Sequence, residues 1–168
     1  MNPREPIYSY WHKLFENLEY SPIQFYSHVD DAIKARKIPA VRVTRTKYKE
    51  GGMLSADREY LVIQRERLQF TICAAPFGTG FFVSLRLTDG GNPDGCGCGC
   101  LIALPLVGHL YEYLFRRETI YTIDRRHMYL DAVHGAMVDA IDEMTREKGI
   151  KPLTELERRP ILGMLAKE

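Results

Sequence analysis

Three cysteines stand at every second position of the run Cys96-Gly97-Cys98-Gly99-Cys100. Thiolates bind soft metals, so three on one short stretch can wrap an ion if a fourth donor joins them. Cys73 and His109 are the candidates for that donor. The spacing departs from structural zinc sites, which place two or more residues between paired cysteines, and no second pair follows. Thiols in this position also suit redox exchange, or S-acylation beside an apolar segment. The plain alternative is a flexible Gly/Cys-rich loop over 88–100 with accessible thiols. A disulfide between cysteines two apart would close a strained ring, so the pattern points to a reducing compartment.

A second set lies farther on. Asp124, His127, Asp131, His134 and Asp142 recur at steps of three, four, three and eight. At about 100° per residue they fall in one sector of a helix. His127, Asp131 and His134 thus have a spacing fit for a divalent metal, or for a histidine activated by a carboxylate. That sector lies opposite the apolar face of the same helix, where an ordinary solvated surface also lies. No cofactor is required by either set, and a divalent ion is the one these residues can take.

The third feature is apolar. LIALPLVGHLYEYLF, residues 101–115, is shorter than the roughly 17–25 residues of a spanning helix, and Pro105, His109 and Glu112 interrupt it. It reads as a short helical segment that is buried, forms a homodimer contact or lies on a membrane surface. Leu101, Leu104, Val107, Leu110, Tyr111 and Tyr113 are its candidate membrane or partner contacts.

Two weaker signals complete the set. Arg42, Arg45, Lys47, Tyr48, Lys49, Arg58, Arg65 and Arg67 mix cations with an aromatic ring, as nucleic-acid-binding sheets do. Glu50, Asp57, Glu59 and Glu66 interleave with them, so a solvated sheet face is expected and nucleic acid is not. The loop Ala75–Gly80 is glycine-bearing but leads into a strand and lacks a lysine-serine pair, so it is read as a hairpin turn rather than a phosphate loop.

The elements that must position these residues follow from periodicity. Ile7, Tyr10, Trp11, Leu14, Phe15 and Leu18 recur at helical steps, which predicts a short helix over 7–18. Ser21-Pro22 opens a second helix near 22–37, with Ile23, Tyr26, Val29 and Ile33 on one face and Pro39 beyond its end. Strands are predicted at 40–48, 58–65, 68–73 and 81–87, joined as an antiparallel meander. Phe70, Ile72, Val83 and Leu85 are expected to share its buried face. Ile120, Tyr121 and Ile123 suggest a fifth strand, and Asp124 then caps a helix near 125–148 that ends at Gly149. A last helix is expected from Thr154, kinked at Pro160.

The chain of 168 residues is enough for one domain, and 45% hydrophobic content gives it a core without metal or disulfide. A formal net charge of +1 carries no general pull toward polyanions. The N-terminus has no apolar run of signal-peptide length, so the protein is expected in the cytoplasm, membrane-associated at most, and not secreted. The fold expected is α+β: a four- or five-stranded antiparallel sheet with an N-terminal helix and C-terminal helices on one face. The function expected is a non-catalytic interaction module, with a protein partner, a second copy or a membrane surface engaged through 101–115. The alternatives are a metal- or thiol-dependent protein built on Cys96, Cys98 and Cys100, or an enzyme using His127, Asp131 and His134.

Overall fold

The computed structural model describes residues 7–48, 58–90 and 119–162. The cysteines 96, 98 and 100 and the apolar segment 101–115, with Leu101, Leu104, Val107, Leu110, Tyr111 and Tyr113, lie outside these residues. Among the described residues, no helix is long and apolar enough to cross a membrane.

The elements are β1 (Ile7–Phe15), α1 (Pro22–Ala35), β2 (Arg42–Tyr48), β3 (Arg58–Arg65), β4 (Leu68–Phe77), β5 (Gly80–Asp89), α2 (Ile120–Glu147) and β6 (Ile161–Leu162). The fold is α+β, an antiparallel sheet with helices packed on one face. The sheet has six strands rather than four or five, in the order β2-β3-β4-β5-β1-β6.

The predicted helix over 7–18 is instead strand β1, paired with β5 from Ile7↔Thr88 to Phe15↔Phe81. Both periods fit part of this segment, because Trp11 and Phe15 are four apart and share a face in a helix or a strand. Aromatic and β-branched content tips the choice toward a strand once β5 offers an edge. Asn17, at φ 54°, then turns the chain toward α1.

The meander β2 to β5 forms as expected. Ile63↔Phe70↔Leu87 and Leu61↔Ile72↔Leu85 are cross-strand neighbours, so one face carries a continuous apolar layer. Phe70, Ile72, Val83 and Leu85 are all buried on it, as predicted. The hairpin between β4 and β5 closes over Gly78-Thr79, with Phe77 facing Gly80 and Gly78 at φ +60°. Such a left-handed residue is what a two-residue hairpin demands.

Both helices lie on that layer. Phe25 of α1 meets Phe81 edge-on at 5.9 Å, and Tyr129 of α2 lies 5.2 Å from Phe70. Their hydroxyl-bearing neighbours reach the strand backbone. The Tyr129 hydroxyl donates to the Ile63 carbonyl at 3.0 Å. The Tyr26 hydroxyl donates to the Glu59 carbonyl at 2.7 Å and accepts from the Ala74 amide at 2.9 Å. These bonds satisfy main-chain groups that the core would otherwise bury unpaired.

Two further expectations are corrected. Residues 120–123 are the first turn of α2, not a strand. The Thr119 hydroxyl accepts from the Thr122 amide, and the Thr122 hydroxyl accepts from the Thr119 amide, a reciprocal cap that starts the helix before Asp124. Ile120 and Tyr121 are exposed on this first turn. Among the described residues after Thr154, 155–162, no helix forms. Thr154 and Glu157 make reciprocal bonds of the kind that cap a helix start, but they close a turn. Pro160 has no amide hydrogen to give the Leu156 carbonyl, so the turn cannot propagate. The chain passes instead into β6, which pairs Ser9 and Tyr10 with Leu162 and Ile161.

Candidate functional site

The histidine–aspartate stripe does not converge. His127 and Asp131 are exposed on α2, whereas His134 is buried. The His134 Nε2 lies 2.5 Å from the Arg158 carbonyl oxygen, so that nitrogen carries the proton and donates it. Its Nδ1 is buried and without a hydrogen-bond partner. Trp11 packs edge-on against the ring at 6.3 Å. Asp142 is held by a two-pronged pair with Arg158, at 2.8 and 2.9 Å. In this arrangement His134 and Asp142 fasten the 153–159 turn to α2.

Burial is the main influence on His134 and pushes its pKa below the ordinary 6.5, against smaller upward pulls from the Arg158 carbonyl and Asp131. The unfolded chain therefore binds this proton more readily than the folded one. Stability from the neutral ring is complete above about pH 6.5 and falls as the pH drops below it. Melting curves taken on both sides of that value check this. The native protein is expected to lose more stability on acidification than His134→Gln, and an identical pH dependence would contradict it.

A polar cluster that sequence spacing did not single out joins the two helices. His28 Nδ1 lies 3.1 Å from Glu143 Oε2, and the Tyr20 hydroxyl donates to Glu147 Oε2 at 3.0 Å. His28, Glu143 and Glu147 hold their ligand atoms within 4.8 Å of one another, the one such group of three among the described residues. The i,i+4 spacing of the two glutamates was visible in the sequence, but His28 comes from α1 and only packing brings it near. Burial first, and then Glu147, raises the Tyr20 hydroxyl to about 12. The cluster's groups are paired internally, and it acts as a polar clasp between α1 and α2.

Cys73 is buried on the sheet face away from the helices, opposite Ser84 and Tyr60. Burial pushes its thiol upward, which makes it a slow nucleophile.

A concave feature lies at the β2 edge of the sheet. A groove of about 450 Å³ runs between α1 and β2, lined by Asp30, Ile33, Lys34, Lys37, Ile38, Val41 and Val43. Its floor is apolar: Ile33 is buried, and Ile38, Val41 and Val43 are half-buried against the core. Lys37 at φ 49° and Ala40 at φ 56° bend the connection that shapes its end. On the rim, Lys34 pairs with Asp30 at 2.7 Å. Beside the groove, β2 is the outermost strand, hydrogen-bonded only to β3 among the described residues. Half of an edge strand's amide and carbonyl groups point away from the sheet and await a partner.

This edge is basic. Arg42, Arg45 and Lys47 are exposed along β2, and the Arg45 guanidinium sits over the Tyr26 ring at 5.9 Å. Lys37, Arg42 and Lys47 have no carboxylate within ion-pair distance among the described residues. The cations were visible in the sequence. The groove was not, because it exists only where the end of α1 lies across an open edge. Family models, curated proteins and solved structures give no match to this chain, so its functional reading rests on its own residues.

Proposed function

We propose that this chain is a non-catalytic polypeptide-binding module that takes an extended segment of a partner along β2. The observation that carries the reading is the apolar groove lying directly beside an edge strand that has one neighbour, β3, among the described residues. Strand addition uses both features at once. The main chain of the incoming segment completes the ladder, and alternate side chains fall into pockets beside it. A groove floored by Ile33, Ile38, Val41 and Val43 suits one branched apolar side chain of the partner.

Filling the groove tests this. Val41 is half-buried at its floor, and Val41→Trp places a large ring in that space. Fluorescence anisotropy is measured with short labelled peptides that share a central isoleucine and differ in charge. At least one peptide is expected to bind the native protein, and the variant, confirmed as folded by its melting curve, is expected to lose that binding. Binding of no peptide, or equal binding by the folded variant, would overturn the reading.

A further inference from the structure

We infer that the segment β2 accepts is acidic: an extended peptide with carboxylates at alternate positions on either side of one branched apolar residue. This rests on the strand-addition reading above and names the chemistry of its partner. Three observations lead to it.

The first is the distribution of charge. Arg42 faces Gln64 across β3, and Arg45 faces Leu61, so neither meets a carboxylate in the ladder. Lys47 faces Glu59, the one acidic residue in register with these cations. Asp30 is occupied by Lys34, and Arg36 is paired with Asp139 on α2. The rim that an incoming strand meets is therefore Lys37, Arg42, Arg45 and Lys47.

The second is alternation. Val43, Arg45 and Lys47 point to the helix side of the sheet, and Arg42, Thr44 and Thr46 to the other. A strand laid against β2 presents its own side chains at the same two-residue steps. An apolar side chain beside Val43 enters the groove, and the next residue on that side comes beside Arg45. A carboxylate there is met by a cation in the place where strand pairing puts it.

The third is what the charges exclude. An antiparallel pairing of β2 with β2 of a second copy would bring six cations into one short ladder, and like charges across a ladder destabilise it. Cations on an exposed edge are a recognised guard against self-pairing. The same residues attract an acidic strand. A polynucleotide would also be drawn by the charge, but it offers no amide and carbonyl ladder for β2 and no aliphatic side chain for the groove.

The test uses the full chain and four labelled probes, read by fluorescence anisotropy. They are a peptide alternating glutamate with valine about a central isoleucine, the same peptide with lysine for glutamate, the glutamate peptide N-methylated at alternate residues, and a single-stranded oligouridine. The acidic peptide is expected to bind at least about tenfold more tightly than the lysine peptide, and to weaken as salt shortens the reach of the rim charges. N-methylation is expected to abolish binding, because it removes the donors of the added strand. Arg45→Glu combined with Lys47→Glu, the two cations on the helix side of β2, is expected to reverse the preference toward the lysine peptide. Both residues are exposed, and the probe series gives its answer without any variant. Equal affinity for the two charged peptides would overturn the acidic preference while leaving strand addition standing. Indifference to N-methylation, or tighter binding of oligouridine than of the acidic peptide, would overturn both.

Discussion

Replacing Phe70 with alanine is expected to destabilise the protein by about 3–5 kcal/mol. Phe70 is fully buried on β4, a central strand, between Ile63 and Leu87 on its neighbours. Its ring packs on Tyr129, whose hydroxyl is anchored to the Ile63 carbonyl. Truncation therefore opens a void bounded by two strands and α2, none of which can close on it without breaking main-chain bonds. For a domain of this size the loss amounts to a melting point lower by about 6–20 °C. Denaturant titration measures it directly, with a lower midpoint and an unchanged slope. A midpoint equal to that of the native protein would remove Phe70 from the core.

The second large effect concerns β1. Trp11 is 3% exposed, and its indole Nε1–H donates to the Glu157 carbonyl at 2.7 Å. Trp11→Ala removes the packing and leaves that carbonyl without its donor, for an expected loss of about 3–5 kcal/mol. Leu14 is 41% exposed on the opposite side of the strand, and Leu14→Ala is expected to cost under about 1 kcal/mol. The pair separates two geometries. A helix over this segment would put Trp11 and Leu14 on one face, so comparable losses would contradict the strand. Because Trp11 is the single tryptophan, its emission in the native protein also reports burial of β1 during unfolding.

Most of the scaffold was legible in the sequence. Alternation in 58–65, 68–73 and 81–87 read directly as strands, because one face of each packs under a helix. Pro22 at the first turn of α1 and Gly149 after α2 marked helix ends for stereochemical reasons. Ser21 stands at the cap position of α1 although its side chain makes no capping bond. Local pattern failed where long-range pairing decides. Ile7–Phe15 satisfies helical spacing and becomes a strand only because β5 is beside it. Thr154 and Glu157 satisfy a helix start and fail only because Pro160 follows.

The candidate site divides in the same way. Arg42, Arg45 and Lys47 were visible as cations on a strand, but a meander of four strands has two free edges and nothing local tells them apart. The structure resolves this through β1, which connects to β2 by way of α1 and covers β5, while β2 stays outermost among the described strands. The same crossover lays the end of α1 beside β2 and makes the groove. His127, Asp131 and His134 had suggestive spacing, yet spacing on one helix does not give a common focus when the first two face solvent and the third is buried.

The claim that β2 is a docking edge is tested most directly by amide hydrogen exchange across Arg42–Tyr48, with and without the glutamate–valine peptide. Addition of a strand is expected to slow exchange at alternate amides of β2, those directed away from β3, and to leave β4 and β5 unchanged. Bound peptide with unaltered exchange throughout β2 would contradict the account.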